Sequence, residues 1–186
     1  AIDAAIATAA ALTVVEPAAN GLGSDAFAIV WHKNELLGLN SSGFAPEAIS
    51  ADQIKAQGQT AMPTFGWTPV TVPGAVKAWK SLNERFGKLT LAQCLVPAIR
   101  YAEEGYPCPP VLAHYWQIAY DQYKKEFAGK PEFDEWFKTF APEGRAPQAG
   151  EVITLKNHAK TLREIGESQT DSFYHGKLAD QIEACS

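Results

Sequence analysis

The chain has 186 residues, of which 46% are apolar and 20% charged, with a formal net charge of −5. This length and apolar content suffice for one compact domain with its own core, and exclude a disordered or collagen-like chain. The weak acidic balance excludes a nucleic-acid footprint, which needs clustered Lys and Arg; the longest basic run is Lys124-Lys125.

The opening stretch AIDAAIATAAALTVV is Ala-rich and apolar. It lacks a basic leader, carries Asp3 and is shorter than the roughly 20 residues of a membrane span, so it predicts a buried helix from Ile2 to Val15. No membrane partner is expected. Glu16-Pro17 breaks the helix, and AANGLGS follows as a turn. DAFAIVW is rich in strand formers and apolar on both faces, as in a buried strand. A polar turn at His32, Lys33 and Asn34 leads to ELLGLN, and the two runs predict a β-hairpin from about Asp25 to Asn40, expected in a central sheet with the Ile2–Val15 helix packed on it. Ser50 and Gln53 open a short helix as a capping box. TPVTVPG reads as a strand closed by Pro73-Gly74. AVKAWKSLNERF places Val76, Trp79, Leu82 and Phe86 at helical spacing, with Gly87 at its C-terminal cap. Thr90 and Gln93 form a second capping box, which starts a helix that stops at Gly105, with Pro97 at a kink or early turn. An aromatic, charged helical region runs from about Val111 to Phe140. NHAKTLREIG predicts a helix with Ala159, Leu162 and Ile165 on one face and Gly166 at its end. DSFYHG reads as a turn, and KLADQIEA begins a final helix. The order is α+β, mostly helical with a hairpin, unlike the strand-helix alternation of a parallel sheet.

Residues with obvious chemistry are scattered. There is no P-loop, GxSxG elbow, HExxH or dinucleotide fingerprint, and no cofactor is expected. His32, His114, His158 and His175 are read as surface or helix-end residues, and Glu103-Glu104 as a solvated helix end. Cys94, Cys108 and Cys185 form no CxxC pair and have no His at zinc-like spacing, so no metal ligand is assigned. An odd count leaves at least one of them unpaired within the chain. They read as reduced structural thiols, which mildly favours a reducing, cytoplasmic setting over a periplasmic or secreted one. Two segments gather polar or flexible groups at strand ends. GLGSDAF sets two glycines before the first strand, where backbone can approach a ligand or another backbone. LNSSGFAP sets hydroxyls and an amide after the second strand, able to bind a polar ligand or to satisfy a turn.

The run IDAAIATAAALTVVEPAANGLGSDAF resembles the γ-glutamyltranspeptidase pattern of NAxDAA, then VVEP, then GxGGGGF. GLNSSGFAP stands where that family has a segment like LDFREMAP. VTVPGAVKAWKSLNERFGKLTLAQCLVPAIRYAEEGYP is similar to VPGxVxGLxxxxxxYGxLxxxxLxxPAIxLAExGFx, and TLREIGESQTDSFYHGKLADQI to TLxxIAxxGxxxFYxGxIAxxI. These blocks fall in the family's order over almost the whole chain.

The resemblance implies an αββα N-terminal-nucleophile hydrolase fold. It implies a precursor that cleaves itself into large and small subunits. The freed Thr of the small subunit would be nucleophile and, through its α-amine, its own base, forming an acyl-enzyme on a γ-glutamyl amide. That Thr lies downstream of the FYxG block. Residues 1–186 are therefore expected to be a single partial domain, an internal piece of the large subunit; the start without Met and the end at EACS suit this. No catalytic residue is expected here, and neither Thr154 nor Thr170 sits in the family's cleavage motif. The expected partners are the small subunit and a small amide or γ-glutamyl substrate. A hairpin parted from the rest of its sheet would expose an apolar patch and associate, so self-association is compatible with this reading.

The departures bear on specificity. Where the family has the Arg that clamps the substrate α-carboxylate through a two-donor fork, this chain has Ser42, followed by Gly43 in place of Glu. GGGG is replaced by Gly23, Ser24, Asp25 and Ala26. Ser41 and Ser42 are expected at the substrate pocket, in a branch that does not recognise glutathione in the usual way. The implied function is an amidohydrolase or acyltransferase; a non-catalytic binding or scaffold relative is the alternative.

Overall fold

The computed structural model describes residues 1–185. Helices α1 (Ile2–Val15), α2 (Ala51–Ala56), α3 (Ala75–Phe86), α4 (Leu91–Glu104), α5 (Pro110–Glu126), α6 (Asp134–Phe140), α7 (Lys156–Glu167), α8 (Asp171–His175) and α9 (Lys177–Cys185) carry most of the chain. Strands β1 (Ala26–His32) and β2 (Glu35–Ser41) form an antiparallel hairpin, and the short β3 (Tyr106–Pro107) and β4 (Val152–Ile153) form a second pair.

The core is a stack of three helices, with α4 between α1 and α7. Ile6, Ala10 and Val14 of α1 meet Leu91, Cys94, Leu95, Ala98 and Ala102 of α4, and Ala159, Leu162 and Ile165 close the other side. Small residues let these axes approach: a Cβ on Gly166 would lie 2.9 Å from the Ala92 Cα. The α4 start is the expected capping box, with the Gln93 amide donating to Thr90 Oγ1 and the Thr90 amide to Gln93 Oε1. Its end is Gly105, whose φ of +90° favours glycine. Asp3 ties α1 to the turn after α3, accepting from the amides of Lys88 and Leu89.

Several expectations are corrected. TPVTVPG is not a strand: Pro69 and Pro73 lack amide donors, and a single amide bond, Val72 to the Phe44 carbonyl, joins the segment to the chain beside it. DSFYHG is not a turn but the helix α8, which starts from Thr170 in a left-handed conformation and is anchored by buried Phe173. Gly87 does end α3, but in an extended conformation; its glycine is required by space, since a Cβ would sit 2.5 Å from Asn83 Nδ2 and 2.9 Å from Asp3 Oδ1. The hairpin turn needs only Lys33 and Asn34, both at positive φ, and His32 remains in the ladder opposite Glu35.

The hairpin differs most from expectation. Its helical neighbour is α3, with His32 and Phe86 in ring contact, whereas α1 is taken up by α4. Nor is β1 buried on both faces: Phe27, Ile29 and Trp31 are exposed on one face, Ile29 at 79%, as is Leu36, which pairs with Trp31 across the hairpin. Alternation in a strand sends odd and even residues to opposite faces, and within this chain only one of them finds a cover.

Candidate functional site

At the end of β2 the chain turns through Ser41, Ser42 and Gly43, and the 71–74 segment lies against it. Three hydrogen bonds join the two: Val72 N to the Phe44 carbonyl at 2.9 Å, Ser41 Oγ to the Gly74 carbonyl at 2.7 Å, and Thr71 Oγ1 to the Ser42 carbonyl at 3.3 Å. The approach is closer than any side chain permits. A Cβ on Gly43 would lie 1.8 Å from the Val72 carbonyl oxygen, and one on Gly74 1.8 Å from that of Ser41. Gly43 also has a φ of +77°.

A third element completes the site. Tyr174 of α8 donates its hydroxyl to the Pro73 carbonyl at 2.7 Å and accepts from the Lys77 amide at 3.0 Å. It therefore binds both the turn into α3 and the first turn of that helix. Burial pushes the Tyr174 hydroxyl up from the ordinary tyrosine value, so it stays a donor.

Between these walls lies an open cleft of about 690 Å³, within the size range of small-molecule sites. Ser41, Ser42, Lys77, Ser81, Tyr174 and His175 are its polar side chains besides Asn40. The structure thus brings together both serines expected at a pocket. It adds Lys77, Tyr174 and His175, which no local sequence pattern marks; two of them lie on α8, where a turn is expected from DSFYHG.

The two hydroxyls differ. Ser41 donates to Gly74 and braces the wall. Ser42 Oγ has no hydrogen-bond partner among the described residues, while the Ser42 amide donates to Asn40 Oδ1 at 3.0 Å. No base is hydrogen-bonded to either hydroxyl, so neither is set up as an activated nucleophile.

The other candidates lie elsewhere. The GLGS turn does not border the cleft; its Ser24 carbonyl accepts the first α3 amide, Ala75 N, at 2.8 Å. Thr154 is exposed, Thr170 is buried, and neither lines the cleft. Burial, and then neighbouring acids, pushes the Cys94 and Cys108 thiols up, away from thiolate reactivity, while Cys185 is exposed. Among the described residues no cluster of His, Cys, Asp and Glu could hold a metal ion, and no helix is long and apolar enough to cross a membrane.

The family described as gamma-glutamyltranspeptidase matches residues 1–185. A cephalosporin acylase structure from Bacillus halodurans superposes with a TM-score of 0.96 at 57% identity, over 100% of this chain and 34% of that one. The Helicobacter pylori gamma-glutamyltranspeptidase superposes with a TM-score of 0.86 at 31% identity, over 99% of this chain and 52% of that one. A Bacillus subtilis protein described as a glutathione hydrolase-like YwrD proenzyme is 34% identical over 185 residues, covering 98% of this chain and 34% of the relative. The chain thus spans about a third of the length of the curated relative. Fold and ordered sequence blocks together define part of an N-terminal-nucleophile hydrolase. The chain belongs to the gamma-glutamyltranspeptidase family.

Proposed function

We propose that residues 1–186 are part of the large subunit of an acyl-transferring amidohydrolase, and that its Thr nucleophile belongs to another part of the same precursor. The small subunit made from that precursor is the partner that completes the sheet and the site. The observation that carries this reading is Ser42 on the cleft wall, its hydroxyl without a hydrogen-bond partner among the described residues; by the sequence resemblance it stands where the family has an Arg.

A neutral hydroxyl does not replace a guanidinium. A charge-assisted hydrogen bond contributes about 1.5–3 kcal/mol and a neutral one about 0.5–1.5. Without the two-donor fork, recognition of an α-carboxylate falls on the order of tenfold to a hundredfold. The full-length protein therefore hydrolyses glutathione poorly and prefers acyl groups lacking that carboxylate. The neighbour described as a cephalosporin acylase, at 57% identity, supports an acyl group other than γ-glutamyl.

The test compares kcat/KM of the full-length protein for a γ-glutamyl anilide and for its decarboxylated counterparts, the 4-aminobutyryl and butyryl anilides. The decarboxylated compounds should be favoured, and Ser42→Arg should move the preference toward γ-glutamyl. A strong native preference for the γ-glutamyl compound would mean that Ser42 does not set specificity.

A further inference from the structure

The cleft carries a charge that the Ser42 reading leaves unused. Lys77 and His175 are the ionisable basic side chains of its lining, and no Asp or Glu lines it among the described residues. Lys77 is exposed, and among the described residues it has no ion-pair partner. Its backbone is fixed: the Lys77 amide donates to Tyr174 Oη at 3.0 Å, and the same hydroxyl donates to the Pro73 carbonyl. The site therefore has a positive side chain rooted on the first turn of α3 and, among the described residues, a Ser42 hydroxyl without a hydrogen-bond partner and no acid in the lining. Such a lining attracts an anion, and a planar carboxylate suits an ammonium beside neutral hydroxyl donors.

We infer that Lys77 is a specificity-determining residue that binds a carboxylate on the leaving amine of the substrate. This rests on the reading of Ser42: with no carboxylate on the acyl group, the anion that Lys77 holds belongs to the amine that the reaction releases. The substrate class is then an N-acyl amino acid, peptide or other amino-carboxylic compound with an uncharged acyl chain. Lys77 acts in binding and takes no part in bond making.

Three amides separate the possibilities on the full-length protein: butyryl anilide, which is neutral; 4-butyramidobenzoate, with a carboxylate on the amine side; and glutaryl anilide, with one on the acyl side. Lys77→Met keeps the backbone bond to Tyr174 and removes the charge. It should lower kcat/KM for 4-butyramidobenzoate by roughly ten- to a hundredfold more than for butyryl anilide, mainly through KM. Lys77→Arg should restore most of the loss, and raising the salt should shrink the native preference. Equal losses on the charged and neutral amides overturn the inference, as does a loss confined to glutaryl anilide. A second measurement is independent of turnover: calorimetric titration with 4-aminobenzoate, the released amine. The wild type should bind it at least about tenfold more tightly than Lys77→Met, a difference of about 1.4 kcal/mol; equal affinities, or no binding to the wild type, overturn the inference. A protein that binds 4-aminobenzoate through Lys77 but hydrolyses none of the three amides would refute acyl transfer alone.

Discussion

Gly74→Ala isolates the contact on which the cleft is built. The φ of Gly74 is −96°, open to any residue, so the substitution adds one methyl group and no backbone strain. That methyl would sit 1.8 Å from the Ser41 carbonyl oxygen and 2.6 Å from its carbon. Since a comfortable C···O contact is about 3.3 Å, the two backbone segments must part by roughly 1.5 Å. Forced overpacking of this kind costs about 1–3 kcal/mol. The separation also breaks the 2.7 Å bond from Ser41 Oγ to the Gly74 carbonyl, which adds about 1 kcal/mol. A total of about 2–4 kcal/mol lowers Tm by at least about 3 °C for a cooperative unit of this size. Because the parted segments are the cleft walls, kcat/KM should fall with stability. The control is Gly23→Ala, where a Cβ meets nothing within 4 Å; it should change stability by less than about 0.5 kcal/mol. Thermal unfolding of the full-length variants, with kcat/KM for butyryl anilide, decides the matter. If Gly74→Ala melts within a degree of Gly23→Ala and keeps its activity, the close packing of these segments is not what shapes the site.

Two further outcomes are expected. Residues 1–186 purified alone should hydrolyse neither γ-glutamyl nor acyl anilides, because the Thr nucleophile is expected outside them and, among the described residues, no base is hydrogen-bonded to a cleft serine; turnover surviving rigorous purification would contradict this. Burial lowers the His158 imidazole below its ordinary value, beside Phe140 at a ring distance of 5.7 Å. The unfolded chain therefore binds its proton first, so the His158 contribution is whole above about pH 6.5 and declines as pH falls from there toward the lower folded value. His158→Phe should flatten that part of the stability-against-pH curve, and an unchanged slope by denaturant titration would show that other groups dominate it.

What the sequence determined by itself is local. Helix α4 is bounded by its capping box at Thr90 and Gln93 and by Gly105, and α7 by the spacing of Ala159, Leu162 and Ile165; each signal is satisfied within a few residues of itself. Strand formers on either side of the turn at Lys33-Asn34 marked the hairpin for the same reason, though their apolar character on both faces did not tell which face would be covered. The position of Ser41 and Ser42 at a pocket came from the resemblance, because hydroxyls after a strand serve a turn as readily as a ligand. Tertiary structure decided the rest. Whether α1 or α3 covers the hairpin depends on which apolar faces compete for which partner, and α4 takes α1 through contacts spread along both helices. The segment 171–175 is helical because Phe173 is buried and Tyr174 reaches Pro73 and Lys77, partners 101 and 97 residues away. No periodicity within DSFYHG encodes those partners. The same long-range bonds place Lys77 in the cleft, so its charge could be located only after the chain had brought α3 and α8 together.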